Sequence, residues 1–196
     1  MRTAIIILAA GNSSRLGKPK QLLHFNGKTL LDIVTDEALK TEFWPVVVVL
    51  GAYLNEIKQI HNNPKVIYTV NENWKTGMSS SIGVGLTVLL NESPDIDSVI
   101  ITVADQVYIT SEIFEALNNR YQSENKNIVT STYSQTTGTP VLFNKKYFSK
   151  LLNLSGSIGA KDLIKNNIND TASIAFELGS IDIDTETDYN NLINNK

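Results

Sequence analysis

Between residues 8 and 23 the chain reads LAAGNSSRLGKPKQLL. A run of aliphatic residues gives way to a small, hydroxyl-rich loop, and Arg15, Lys18 and Lys20 follow within six positions. These are residue types that hold a polyphosphate. Gly11 lets backbone amides approach an anion, Asn12, Ser13 and Ser14 add donors, and the three cations offset the charge. The alternative is a basic surface loop without a ligand. Two familiar phosphate loops do not fit. A Walker loop needs four residues between its glycines and a hydroxyl after its lysine, whereas five residues separate Gly11 from Gly17 and Pro19 follows Lys18. A dinucleotide fingerprint needs Gly-x-Gly-x-x-Gly, and this loop has no second glycine at the required place.

Three carboxylates could complete such a site. Asp105 closes the apolar run VIITVAD, where a carboxylate suits Mg²⁺, a cation that takes one or two carboxylates plus phosphate oxygens. A cap on the following helix is the other reading, although Thr110 and Ser111 are better placed for it. Asp182 and Asp184 lie two apart on a predicted strand and so share a face. Asp184, nearer the strand end, is preferred as the second metal ligand; Asp182 is equally well read as a surface carboxylate. Thr185 and Asp188 have capping-box spacing. The stretch GMSSSIGVG reads as a loop entering a helix, whose first turn offers free amides and hydroxyls to a base, ribose or phosphate, or simply a serine cap. Gly83 and Gly85, costly in a helix, imply close packing or close ligand approach. Gln106 is weak evidence beside Asp105, Trp74 reads as core or pocket wall, and His24 and His61 lack partners at metal-ligand spacing. No Ser-His-Asp set is visible.

The elements that must position these groups alternate. Aliphatic runs at 3–9, 45–51, 65–70 and 98–104 are separated by segments of helical spacing. Continuous apolar strands between helices imply an α/β sheet covered on both faces. Beyond residue 105 the pattern predicts a helix near 111–121, strands at 127–132 and 138–143, a helix at 145–152 and a strand pair around 173–184. The sheet is therefore expected to be mixed.

Composition bounds the rest. The 196 residues, 42% hydrophobic, suit a single domain over 1–196. A net charge of −3 with no basic face speaks against nucleic acid or an anionic membrane as partner. Cysteine is absent. The apolar run at the start is too short for a signal peptide, and none approaches the ~18 residues of a membrane span. A cytoplasmic location is expected.

LAAGNSSRLGKPKQLL resembles the signature loop of nucleotidyltransferases with the glycosyltransferase-A-like fold, most closely the MobA/MocA-like branch that includes molybdenum cofactor cytidylyltransferases. NENWKTGMSSSI (71–82), VADQV (103–107), GTPVLF (138–143) and DIDTETDY (182–189) resemble that branch in the same order. The resemblance implies a Rossmann-like three-layer sandwich with a mostly parallel, mixed sheet, and transfer of a nucleoside monophosphate with release of pyrophosphate. It implies nucleotide contacts from Leu8, Ala9, Ala10, Gly11, Ser13, Gly77, Ser79 and Ser80, and Mg²⁺ on Asp105 and Asp184. Arg15 would hold the departing β/γ-phosphates and Lys20 the charge at the α-phosphate. The LAAG form of the loop points to CTP as donor and the branch to molybdopterin as phosphate-bearing acceptor. Val107, Thr139 and GSIGAK (156–161) depart from the cytidylyltransferase pattern, all in the half expected to hold the acceptor. A sugar- or polyol-phosphate nucleotidyltransferase and a non-catalytic nucleotide-binding accessory protein are the rival readings. The oligomeric state is left open.

Overall fold

The computed structural model describes residues 1–134, 136–154 and 160–194. In chain order its elements are β1 (Thr3–Ala9), β2 (His24–Phe25), β3 (Lys28–Thr29), α1 (Leu30–Lys40), β4 (Val46–Leu50), α2 (Leu54–Ile60), β5 (Ile67–Val70), α3 (Met78–Glu92) and β6 (Ser98–Val103). They continue with α4 (Ser111–Ser123), β7 (Ile128–Tyr133), β8 (Thr136–Asn144), α5 (Phe148–Leu152), α6 (Ala160–Lys165), β9 (Thr171–Ala175) and α7 (Glu186–Asn194). Seven strands form one sheet in the order β5-β4-β1-β6-β8-β7-β9. The first four are mutually parallel, β8 runs antiparallel to both neighbours, and β9 is parallel to β7. The mixed, mostly parallel sheet expected from the aliphatic runs is the one observed.

Successive strand side chains point to opposite faces, and β1 shows the result. Ile5, Ile7 and Ala9 join one core with Leu31, Val34 and Ala38 of α1 and Phe114 and Leu117 of α4. Ala4, Ile6 and Leu8 join the other with Ile82, Leu86 and Leu89 of α3 and Leu163 and Ile164 of α6. All seven residues of β1 are buried, which is why the run has no polar alternation. A third, smaller cluster gathers Leu23, Phe25, Leu30, Val107, Ile183 and Leu192 at one end of the sheet.

The predicted strand pair around 173–184 is corrected. Only β9 forms; residues 177–180 make a 3₁₀ turn, and 181–184 take no regular structure. Gly179 sits where an added Cβ would lie 2.5 Å from the Phe176 ring and 2.8 Å from that of Tyr133, so the chain folds tightly there instead of continuing along the sheet. The Ile-Asp-Ile-Asp alternation serves another purpose. Ile183 is fully buried in the third cluster while the aspartates on either side of it line a cavity. The capping box is present, Asp188 N donating to Thr185 Oγ1 and Thr185 N to Asp188 Oδ2. The GSIGAK segment falls mostly outside the described residues; its last two, Ala160 and Lys161, begin α6.

His61 is structural. Its Nδ1 lies 2.9 Å from Asp32 Oδ1 and its Nε2 3.3 Å from Thr29 Oγ1, pinning the end of α2 to the capped start of α1. Asp170 ties three segments at the other edge, accepting from Tyr147 Oη, Lys146 Nζ and Asn127 N and Nδ2. Burial opposes ionisation of that carboxyl, but these donors outweigh it and hold the pKa well below the usual range.

Two predictions follow from packing and charge. Gly85→Ala places its Cβ 2.8 Å from Ile6 and 2.9 Å from Val49 and lowers unfolding stability by about 1 kcal/mol or more, even after the helix gains alanine. Gly83→Ala meets nothing within 4 Å and raises stability by about 0.5–1 kcal/mol. Urea unfolding of both variants reads the opposite signs. Because the folded pKa of Asp170 is depressed, its contribution is present above the unfolded value of about 3.9 and is lost as pH falls below it. Asp170→Asn should therefore destabilise by about 1–3 kcal/mol at pH 7, with the gap to wild type closing as unfolding is measured at progressively lower pH.

Candidate active site

The site begins where β1 ends. Ala10 O accepts from Ala52 N at 3.1 Å, and Gly51 leaves no room for a side chain, since an added Cβ would stand 2.7 Å from that oxygen and 2.9 Å from Trp74 Cβ. The chain exit from β1 is thus pressed against the exit from β4. Beyond it Ser13 turns at φ 47°, its carbonyl accepting from Leu16 N and Gly17 N at 2.9 Å each. Tyr53 Oη donates to Asn12 O at 2.8 Å. Gln21, buried to 2% exposure, reaches back and donates from Nε2 to Ala9 O at 2.8 Å and Gly11 O at 3.0 Å. The loop is therefore shaped by the protein's own hydrogen bonds.

Those constraints deliver Lys20. Its ammonium donates to Asp105 Oδ2 and, at 3.4 Å, to Asp184 Oδ1. Arg15 Nη2 meets the other oxygen of Asp184 at 2.5 Å, and Lys18 pairs with Glu186 at 2.8 Å. Asp105 lies in the turn after β6, whose start is held by Ala104 N donating to Leu8 O. Burial acts to lower the Lys20 pKa, but attraction and hydrogen bonds from Asp105 and Asp184 raise it further, so the group stays charged. Burial pushes the Asp182 carboxyl up, and repulsion from Asp105 and Asp184 adds to that shift.

These groups open onto a cavity of ≈ 1030 Å³. Of the residues expected to hold nucleotide or metal, Leu8, Ala10, Gly11, Lys20, Gly77, Ser79, Asp105 and Asp184 line it, and so does Asp182. Arg15 stands outside the lining, attached through Asp184. Ala9 is buried in the core on the opposite face of β1, its carbonyl held by Gln21, and Ser13 Oγ is turned to Lys20 N at 3.3 Å. Ser80 is drawn into the architecture: its hydroxyl donates to Gly77 O at 2.8 Å and accepts from Asn71 Nδ2 at 2.8 Å. Trp74 is a cavity wall, as its type suggested, and Gln106 is structural, donating to Thr139 O at 2.8 Å. Of the helical glycines, Gly85 is closely packed and Gly83 is not.

Sequence reasoning missed Asn71, Tyr133 and Lys165, and marked Thr139 and the segment holding Lys161 only as departures from a family pattern. Asn71, 1% exposed, knits the start of α3 by bonding Ser80, Ser81 and Asn73 N. Its position between a strand and a turn was the available signal. Tyr133, Thr139, Lys161 and Lys165 enter the cavity from the second half of the chain.

Asp105 and Asp184 have the chemistry to hold a hard divalent cation, since both turn oxygens to one point where the Lys20 ammonium is the present counter-charge. Among the described residues no group of three or more His, Cys, Asp or Glu side chains could hold a metal ion. Such a pair leaves the remaining coordination positions to phosphate and water. Among the same residues no helix is long and apolar enough to cross a membrane.

A basic loop after β1 and the Asp105 turn after β6 lie outside the carboxyl ends of parallel strands, where open α/β sheets bind their ligands. The sequence pattern of the MobA-like NTP transferase domain matches residues 5–172, and the chain belongs to that family. It is 37% identical over 81 residues to nicotine blue oxidoreductase of Paenarthrobacter nicotinovorans, covering 41% of this chain and 40% of that protein. The chain thus aligns with less than half of that curated relative. Its structure is similar to that of Rv0371c from Mycobacterium tuberculosis H37Rv, with a TM-score of 0.87 and 25% identity over 98% of this chain and 97% of the other. A structure of Rv0371c in complex with manganese gives a TM-score of 0.81 and 22% identity over 100% of both chains. CMP:2-keto-3-deoxy-manno-octonic acid synthetase complexed with CTP shares the fold, with a TM-score of 0.78 and 14% identity over 99% of this chain and 98% of that one.

If Gln21 shapes the loop, Gln21→Met leaves the carbonyls of Ala9 and Gly11 without their donor. The expected cost is about 1–3 kcal/mol in urea unfolding. Hydrogen exchange should quicken at the amides of residues 11–20 while those within β1 stay protected.

Proposed function

We propose that the protein transfers CMP from CTP to a phosphate-bearing small molecule and releases pyrophosphate, with molybdopterin the first candidate acceptor and Mg²⁺ the metal. The observation that carries this reading is the Lys20 ammonium set between Asp105 and Asp184 at the mouth of the pre-shaped loop. Nucleotidyl transfer needs positioning and charge neutralisation rather than a covalent intermediate. An acceptor phosphate oxygen attacks the α-phosphorus, the bond to the bridging α/β oxygen breaks, and pyrophosphate carries away that electron pair. Lys20, kept charged by its two carboxylates, neutralises charge growing at the α-phosphate. Arg15, swinging from Asp184, holds the departing β/γ-phosphates. A divalent cation on Asp105 and Asp184 would supply Lewis-acid polarisation and a template for the phosphate oxygens.

Family membership supports the reaction class. The manganese in the Rv0371c structure supports a divalent metal, and the CTP in the synthetase structure, which shares this fold, is in keeping with a cytidine nucleotide. The preference for CTP rests on the LAAG loop. The oxidoreductase name of the curated relative is not carried over, because the aligned stretch is 81 residues and the loop lacks the glycine spacing that seats a dinucleotide.

Pyrophosphate release tests the reading, measured with Mg²⁺, each ribonucleoside triphosphate, and molybdopterin or a panel of sugar and polyol phosphates. Release is expected with CTP and to stop with a chelator or in Asp105→Ala. Lys20→Ala should lower turnover by about a hundredfold or more. Near-normal turnover in Lys20→Ala would remove the assigned role. Nucleotide binding without release against any acceptor would favour the accessory reading.

A further inference from the structure

The cations around the cavity fall into two sets. Arg15, Lys18 and Lys20, on the loop side, each pair with a carboxylate of the protein. Lys161 and Lys165 of α6 line the opposite wall and take part in no ion pair among the described residues. Their i, i+4 spacing puts both on one face of the helix. Leu163 and Ile164 between them are buried in the core shared with α3, so α6 is anchored and its lysines are presented as a fixed pair. Asp162 also lines this wall and leaves it with a net positive charge. Lys161 and Lys165 share this cavity with Asp105, Asp182 and Asp184. The neighbouring floor is polar, lined by Tyr133 and Thr139, with the Tyr133 hydroxyl standing over Gly138. The cavity of ≈ 1030 Å³ lies at the upper end of the roughly 300–1,000 Å³ typical of small-molecule sites and takes in both the loop residues Gly11 and Lys20 and the α6 lysines.

We propose that Lys161 and Lys165 form the phosphate subsite of the acceptor, selecting a phosphomonoester and presenting it to the α-phosphorus, and that they do not bind the triphosphate. The proposal rests on the nucleotidyltransferase reading above. It accounts for a lysine pair that takes part in no ion pair among the described residues: the acceptor's phosphate supplies the partner.

The test saturates the full-length protein with α,β-methylene-CTP and Mg²⁺, which fills the donor site without turnover, and then titrates inorganic phosphate by calorimetry. Wild type and the exposed-surface control Lys65→Gln should bind phosphate alike. The double variant Lys161→Gln/Lys165→Gln should lose about tenfold or more in phosphate affinity while its affinity for the methylene analogue is unchanged, which also shows that it folds. Lys161→Arg, which keeps the charge, should retain most of the binding. Phosphate binding unaffected by the double substitution, or absent from the analogue-saturated wild type, overturns the subsite while leaving the nucleotidyltransferase reading intact. A matching fall in analogue affinity overturns it in another way, by assigning the lysines to the triphosphate. Failure of wild type to bind the analogue at all removes the underlying reading and the subsite with it.

Discussion

One ammonium facing two carboxylates sets the terms for the rest of this molecule. The Lys20 side chain is 21% exposed and that of Asp105 10% exposed, so the contact is made largely out of water, where separating the charges is costly. Everything that must be accurate about the loop is needed to bring Lys20 there. Ser13 bends the chain, Gln21 pins its two ends, and the missing side chain of Gly51 lets the whole turn sit down on the neighbouring strand exit. The arrangement is one of preorganisation, in which a positive group is held in place and its partners are groups that can be exchanged for phosphate oxygens.

The sheet supplies the two walls differently. Parallel strands β1, β4 and β6 all end at the same edge, so their following turns contribute Gly11, Gly51 and Asp105 side by side. Strand β8 runs the other way, with Ile101 of β6 opposite Val141, so it reaches that edge with its beginning and brings Gly138 and Thr139. Asp182 and Asp184 come from no sheet strand. They are aimed by Ile183, whose burial among Leu23, Phe25, Val107 and Leu192 forces its two neighbours outward. A hydrophobic anchor thereby sets the direction of two charges.

Much of this was legible in the residues. Continuous aliphatic runs located β1, β4, β5 and β6 because strands covered on both faces have no polar positions to interrupt them. Asp105 could be placed from its position at the end of such a run. The small β2/β3 hairpin was missed: Asn26 and Gly27, at φ 50° and 81°, are the pair that accepts two positive φ angles, but the short strands beside them carry too few residues for a pattern. The Ile-Asp-Ile-Asp segment was misread because alternation reports only that one face is buried, and here the burying partner is a loop-and-helix cluster instead of a sheet. The wall formed by Tyr133, Thr139 and α6 was only partly visible, Thr139 and GSIGAK standing out solely as departures from a family pattern in the half expected to hold the acceptor. An i, i+4 lysine pair is ordinary on any helix, and only the burial of Leu163 and Ile164 shows which way that helix faces. Ser80 illustrates the reverse case, a hydroxyl in a suggestive motif that the backbone has already claimed.

The distances along the chain between site residues carry a consequence for biosynthesis. Lys20 is 85 positions from Asp105 and 164 from Asp184, and Arg15 is 169 from Asp184. On a ribosome the basic loop emerges early, whereas its second carboxylate partner emerges only after β9 and the turn behind it. Domains generally fold as units, and pairings between residues distant in the chain are slow to close. The basic loop therefore stays without Asp184 during synthesis until every strand of the sheet has been made, and the charge cluster is closed by nearly the last of the described residues.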